Sequence, residues 1–146
     1  MTARSSTRSG SGSNTRSTIG YVVFAHGSSI ESANDAVRAV AAEMARRGEY
    51  EAVEAAFLEG GKPDLAGAVE ILAGCGLTRV VVIPYFLTLG LHLQRDLPHR
   101  VEQIRAAHPE IEIEVTAPLD GHPAMVDALL ARARGSQREP HASKAD

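Results

Sequence analysis

Two histidines and one glutamate each follow an apolar segment of this chain. His26 comes directly after the β-branched and aromatic run 19–25, Glu59 follows a loosely alternating segment, and His92 closes an apolar stretch. Neutral imidazole is a ligand that suits Fe, Co, Ni and Zn, and a carboxylate adds negative charge to such a ligand set. Both groups also accept protons near neutral pH. The three residues therefore predict a site that holds a divalent metal ion and removes protons, which is typical of chelation chemistry.

The segments around these residues alternate between strand and helix patterns. The predicted strands are 19–25, 50–58, 78–85 and 111–116, and the predicted helices are 32–47, 64–75, 93–107 and 123–134. This order predicts an α/β fold, a three-layer α/β/α arrangement in which helices cover both faces of a four-stranded parallel sheet. The third strand is continuous in Val and Ile and is predicted to be central, whereas the alternating fourth strand is predicted to be an edge.

The predicted sheet brings the three chemical residues together. Ligands of open α/β sheets bind beyond the carboxyl ends of the strands, and His26, Glu59 and His92 all follow such ends. Gly48 is expected to stop the first helix, and Pro63 and Asp64 are expected to begin the second, with Pro63 in its first turn and Asp64 as its cap. Each histidine taken alone is also consistent with an ordinary surface residue, and His99, His108 and His141 are interpreted in that way.

The composition predicts one soluble domain over residues 19–134. The chain has 146 residues, of which 44% are hydrophobic, and a formal net charge of -3, which argues against nucleic acid as a partner. The single cysteine fits a reducing cytoplasm, and no apolar run approaches the roughly 18 residues of a membrane span. Residues 1–18 read as a disordered tail, with a transit peptide as the alternative, and residues 135–146 as a frayed tail.

Four motifs, taken in order, resemble the short, single-lobe CbiX/SirB class of sirohydrochlorin chelatases. They are Ala25-His26-Gly27-Ser28, Phe57-Leu58-Glu59, the run 84–92 with Asp96-Leu97-Pro98, and the run 119–123. The resemblance covers about residues 21–134. It implies a chelatase-like, flavodoxin-like lobe that pairs as a homodimer and inserts Co(II) or Fe(II), with Ni(II) as a further metal, into sirohydrochlorin. Such a lyase serves cobalamin or siroheme biosynthesis and needs no organic cofactor.

The resemblance also implies roles for individual residues. His26 and His92 match the two metal-binding, catalytic histidines, and Glu59 matches an acidic position of the family. Ala25 and Ser29 depart from the family, which often has glycine before the histidine and arginine after His-Gly-Ser. The apolar loop after the third strand is expected to form a wall for a flat ligand, or else to pack on its own helix. Residues expected to contact substrate are Ser28, Tyr85, Phe86, Leu89, Gly90, Leu91, Lys62 and Arg95, with Arg100 as a further cation for the substrate's eight carboxylates.

Two other functions remain open from the sequence. One is a carrier that binds a metal or a tetrapyrrole through the same histidines without turnover. The other is a flavodoxin-like domain that binds an anionic ligand at the turn 27–29. The chelatase hypothesis needs neutral imidazoles, so activity is expected to fall as the pH drops through roughly 6.5, the ordinary value for histidine.

Overall fold

The structure, a computed structural model, describes residues 18–138 and contains four strands and four helices in strict alternation. The strands are β1 Ile19–Ala25, β2 Val53–Phe57, β3 Arg79–Pro84 and β4 Glu112–Val115. The helices are α1 Glu31–Gly48, α2 Leu65–Gly74, α3 Leu91–Ala107 and α4 Pro123–Arg138. All strand pairs are parallel, and the sheet order is β2-β1-β3-β4. The predicted α/β fold with a four-stranded parallel sheet is therefore confirmed.

The two central strands are the most apolar ones. Val22 and Val23 of β1 point to opposite faces of the sheet and both are buried, as are Val80, Val81 and Val82 of β3. Continuous burial of this kind requires cover on both faces, which explains the unbroken apolar sequence. In β4 only Ile113 is buried, and this strand pairs on one side only. The predictions of a central third strand and an edge fourth strand are confirmed.

The helices divide unequally between the two faces of the sheet. Helices α2 and α3 pack on one face, where leucines of both helices meet Val22, Phe24 and Val82. Helix α1 packs on the other face, over Val23 and Phe57. Helix α4 contributes no residue to either buried cluster, and its apolar side chains Val126, Leu129 and Leu130 are exposed. One face of the sheet is therefore covered mainly by a single helix.

Local interactions explain where the first helix ends. Gly48 is the last helical residue, but Glu49 rather than Gly48 adopts the left-handed conformation, with φ 57°. A Cβ atom at position 48 would lie 2.3 Å from the ring of Tyr50 in its present position, so this ring packs directly over the glycine. The Tyr50 N–H donates to the carbonyl of Ala45, and β2 begins at Val53, later than predicted, although the carbonyl of Ala52 already accepts from the Tyr21 N–H of β1 at 3.0 Å.

Three other helix ends differ from, or refine, the predictions. Asp64 caps α2 by accepting a hydrogen bond from the Gly67 N–H at 2.8 Å, as expected, but Pro63 precedes the cap and is not in the first turn. Helix α3 starts at Leu91, with Gly90 as its N-cap, so His92 lies in the first turn of a helix and not in a loop. Helix α4 continues to Arg138, beyond its predicted end at Arg134.

The predicted tails lie almost entirely outside the described residues. Residues 1–17 and 139–146 are not described, so the domain limits proposed from the sequence stay a prediction. Among the described residues, no helix is both long enough and apolar enough to cross a bilayer.

Candidate active site

The ends of β1 and β2 continue their pairing into the two loops that follow. The Leu58 N–H donates to the carbonyl of Ala25 at 2.9 Å, and the Glu59 N–H donates to the carbonyl of His26 at 3.0 Å. These two bonds extend the parallel ladder beyond the last strand residues. His26 and Glu59 are therefore held side by side at the carboxyl edge of the sheet, as predicted from their positions in the sequence.

The side chains of His26 and Glu59 form an exposed pair. The His26 Nε2 and Glu59 Oε2 atoms are 3.7 Å apart, and 62% and 70% of the two side chains are accessible. This separation is too long for a direct hydrogen bond. A proton on the imidazole would turn this contact into an ion pair. The arrangement suits a group that takes up a proton from an incoming ligand.

Two glycines allow the loops to touch. Gly27 and Gly60 both have positive φ, 90° and 76°. A Cβ atom on Gly27 would lie 1.8 Å from the carbonyl oxygen of Glu59, and one on Gly60 would lie 2.7 Å from the carbonyl of Ser28. Real Cβ atoms cannot approach backbone so closely. Each loop is thus in backbone contact with the other, and any side chain at either glycine would force them apart.

His26, Glu59 and His92 all line one cavity of about 770 Å³. His26 and Glu59 line it from the strand tips, and His92 lines it from the first turn of α3. Phe86, Gly90 and Arg95, which were also predicted to contact a ligand, form further parts of its wall. The volume lies within the range of small-molecule sites.

One face of helix α3 contributes a polar stripe to this cavity. Its members recur every three or four residues, which places them on one side of a helix, and they are His92, Arg95, Asp96, His99 and Arg100. Arg100 donates from Nε to Asp96 Oδ2 at 2.6 Å, whereas no ion pair of Arg95 occurs within residues 18–138. The helical spacing was visible in the sequence, but His99 was interpreted as an ordinary surface residue.

Phe86 forms the apolar part of the wall. Its ring stands edge-on to that of the buried Phe24 at 5.9 Å and to the imidazole of His26 at 6.4 Å. The contact with Phe24 anchors the loop after β3 in the core. This side chain therefore offers a fixed apolar surface next to the imidazole.

Several residues expected to contact a ligand lie elsewhere. Ser28 Oγ accepts a hydrogen bond from the Ile30 N–H at 2.9 Å, and Tyr85 packs against the core on the α1 side of the sheet. Leu89 lines a separate cavity of about 540 Å³, and Lys62 lines another of about 430 Å³ beyond Glu59. Leu91 is exposed without lining the main cavity. Tyr85 and Phe86 follow the end of β3 and pack against the core clusters on opposite faces of the sheet, and only Phe86 lines the site.

The predicted three-ligand set is not assembled in this structure. Within residues 18–138, no three His, Cys, Asp or Glu side chains are grouped closely enough to hold a metal ion. His26 and Glu59 adjoin each other, while His92 stands on the helix wall of the same cavity. The donors therefore offer an incomplete and open coordination set.

An ion-pair network on α1 contacts the loop that follows β2. Arg38 of α1 donates from one nitrogen to Glu31 and Asp35, both at 2.7 Å, and from another to the carbonyl of Lys62 at 2.9 Å. The Arg38 guanidinium, and after it the Asn34 amide, hold the pKa of Glu31 below its usual value. The same hydrogen bonds, first that to Glu31 and then that to Asp35, raise the pKa of Arg38.

Comparison with known proteins agrees with this geometry. The CbiX family model matches residues 20–136. The chain belongs to the CbiX family. Curated CbiX-like relatives are named sirohydrochlorin cobaltochelatase or sirohydrochlorin ferrochelatase. One of them, the cobaltochelatase of Methanosarcina barkeri, is 30% identical over 115 residues, which are 77% of this chain and 88% of the relative.

Solved structures of CbiX-like proteins share the fold. A cobalamin biosynthesis CbiX protein from Marinobacter aquaeolei VT8 superposes with a TM-score of 0.74 at 25% identity, over 82% of this chain and 98% of that one. The sirohydrochlorin chelatase SirB from Bacillus subtilis subspecies spizizenii, in complex with cobalt, gives 0.74 at 22% identity, over 80% of this chain and 50% of that one. The family and the fold that the sequence motifs implied are confirmed.

Proposed function

We propose that this chain is a sirohydrochlorin chelatase that inserts Co(II) or Fe(II) into the macrocycle. The observation that carries the proposal is the single cavity in which His26 and His92 stand on different walls, with Glu59 beside the first. The activity named for the curated relatives agrees with it. The reaction is that of a lyase for cobalamin or siroheme biosynthesis.

The residues divide the reaction between proton removal and metal delivery. Insertion of a divalent ion forms four metal–nitrogen bonds and releases two pyrrole N–H protons. His26 and His92 act in their neutral forms, either as acceptors of these protons or as donors to the arriving metal. Glu59 stabilises the proton that His26 takes up, because its carboxylate lies 3.7 Å from Nε2.

The open donor set suits a metal ion that is a substrate. An ion held by three or four close ligands is released slowly, whereas an ion that passes into a macrocycle must exchange ligands readily. The dispersed histidines of this cavity meet that requirement. Affinity for N/O donors rises from Fe to Co to Ni, so cellular supply selects among Co(II), Fe(II) and Ni(II). The reaction needs only the metal and the macrocycle, without an organic cofactor.

The walls of the cavity fit a flat, anionic macrocycle. Phe86 provides an apolar surface beside His26, and Arg95 provides a positive charge without an ion-pair partner among the described residues. Sirohydrochlorin carries eight carboxylates around its edge, so Arg95, together with His99 and Arg100 on the same face of α3, binds that edge.

We further propose that the active form is a homodimer in the cytoplasm. One lobe supplies a single wall of the macrocycle site, and two-fold pairing is the commonest way to add another. The exposed apolar face of α4, with Val126, Leu129 and Leu130, supports a contact with a second copy. The single cysteine supports a reducing compartment.

The proposal is tested by mixing the purified chain with sirohydrochlorin and Co(II) or Fe(II) and following the absorbance change. We expect insertion by the wild type and by a His108→Ala control at the far end of α3, and loss of insertion in a His26→Ala/His92→Ala double variant. A double variant as fast as the wild type would refute the site. Binding of metal or tetrapyrrole without an absorbance change would indicate a carrier. Phosphate-dependent binding that survives both substitutions would indicate an anion-binding domain.

A further inference from the structure

One polar side chain is buried in the described part of the chain, that of Asn34. It lies in the first turn of α1 and is only 1% exposed. A buried amide is costly unless its donors and acceptor are hydrogen-bonded. The burial of Asn34 therefore depends on the hydrogen bonds that it makes.

These bonds go to the two loops that carry His26 and Glu59. The Ser28 N–H donates to Asn34 Oδ1 at 2.9 Å, and Asn34 Nδ2 donates to the carbonyl of Ser28 at 2.8 Å and to the carbonyl of Gly60 at 3.1 Å. Ser28 is two residues after His26, and Gly60 directly follows Glu59. A single amide group thus joins both loops.

The chemistry of the partners fixes the orientation of the amide. A backbone N–H only donates and a carbonyl only accepts, so Oδ1 must face Ser28 N and Nδ2 must face the two carbonyls. Nδ2 also lies 3.2 Å from Glu31 Oε1, a further acceptor. An aspartate of the same shape would keep the bond from Ser28 but would set a negative oxygen against three acceptors.

We propose that Asn34 is a positioning residue of the chelatase reaction, which holds His26 at a fixed distance from Glu59. It touches neither the metal nor the macrocycle, and it acts only through the two loops. The inference rests on the proposed function, because the distance matters only if the pair binds metal or moves protons. Replacing a residue that orients metal-binding groups without binding the metal itself typically lowers metal affinity or activity about 10- to 100-fold.

The test compares Asn34→Ala, Asn34→Asp and the milder Asn34→Ser with Leu72→Ala in the full chain. Leu72 is buried between α2 and β1 near Gly20, at the opposite end of the sheet. Co(II) affinity is measured by calorimetry without tetrapyrrole, and urea midpoints give the stability. We expect about 10- to 100-fold weaker Co(II) binding in the Asn34 variants. Leu72→Ala is expected to be destabilised and to bind Co(II) like the wild type.

Two results would overturn the inference. One is a folded Asn34→Ala or Asn34→Ser variant that keeps wild-type Co(II) affinity. The other is an equal loss of Co(II) affinity in Leu72→Ala, which would mean that general loosening of the domain is the cause. A wild type that binds Co(II) through His26 but does not insert it would refute the chelatase proposal alone, since the binding comparison would still report on the role of Asn34.

Discussion

The backbone N–H of Glu59 donates a hydrogen bond to the carbonyl oxygen of His26 at 3.0 Å, so the two side chains leave the sheet at the same level. Their charged and basic atoms then lie 3.7 Å apart without further adjustment. The backbone pairing that continues beyond β1 and β2 therefore places the two side chains next to each other at the carboxyl edge of the sheet.

Replacing Glu59 by Gln should lower kcat about 100-fold, because the neutral amide no longer stabilises a proton on His26. The KM for sirohydrochlorin should change little, since Arg95 and Phe86 remain. Steady-state insertion kinetics provide the measurement, with the exposed Glu70→Gln on α2 as a charge-matched control. Full activity in Glu59→Gln would show that Glu59 does not assist proton uptake by His26.

Alanine at Gly27 or Gly60 should destabilise the fold by about 1–3 kcal/mol, because both positions need positive φ and direct backbone contact. Insertion activity should fall as well, since the loops must separate. Gly74→Ala is the control, because a Cβ there meets nothing within 4 Å, and its stability should stay within about 1 kcal/mol of the wild type. Equal urea midpoints for all three variants would contradict this account of the loops.

Replacing Arg95 by Gln should raise the KM for sirohydrochlorin about tenfold, which corresponds to the loss of one charged hydrogen bond to a carboxylate. Co(II) affinity should be unchanged, and the difference between wild type and variant should shrink at high salt. Arg47→Gln removes the same charge from the far end of α1. If Arg47→Gln raised the KM as much as Arg95→Gln, the effect would come from the net charge of the protein and not from the position of Arg95 in the cavity wall.

The stability contributed by Glu43 should depend on pH. Arg46 and then Arg47, which donate to this carboxylate at 3.0 and 2.7 Å, lower its pKa from 4.5 to about 2. A folded-state pKa below the unfolded value stabilises the protein above 4.5, and this contribution is lost as the pH falls from 4.5 towards 2. Urea midpoints of wild type and Glu43→Gln should therefore differ at neutral pH and converge in acid. A difference that stayed constant with pH would exclude the ion pair as its source.

Leu129→Glu should convert a dimer into a monomer and reduce insertion activity. Leu129 is 68% exposed on the apolar face of α4, and a carboxylate there cannot be buried against a second copy without a large cost. Sedimentation should give twice the chain mass of 15.5 kDa for the wild type and 15.5 kDa for the variant. The exposed Ile71→Glu on α2 serves as the control. A fully active wild-type monomer at assay concentration would refute the homodimer.

The order of elements and the grouping of His26, Glu59 and His92 around one cavity were predictable from local patterns, whereas the contacts between loops were not. The unbroken run 19–25 predicted β1, and the positions of His26, Glu59 and His92 after apolar segments predicted that they would lie near one another. Asn34 has only the appearance of a polar helix residue, because its partner Gly60 lies 26 positions away. The sequence predicts a loop at His92, because Gly90 has no side chain that would mark it as the N-cap of α3 and its neighbours are apolar. The exposure of Val126, Leu129 and Leu130 on α4 likewise depends on tertiary packing that periodicity does not encode.

Gly27 lies against the carbonyl of Glu59, and Gly60 lies against Ser28. Because of these two contacts, the sequences of the two loops are expected to evolve together. A substitution that reshapes one loop is tolerated only with a matching change in the other. Related sequences should therefore show correlated variation between residues 27–29 and 59–61. A transplant of these loops into another protein should therefore include both of them together with residue 34, because their backbones contact each other and both bond to Asn34.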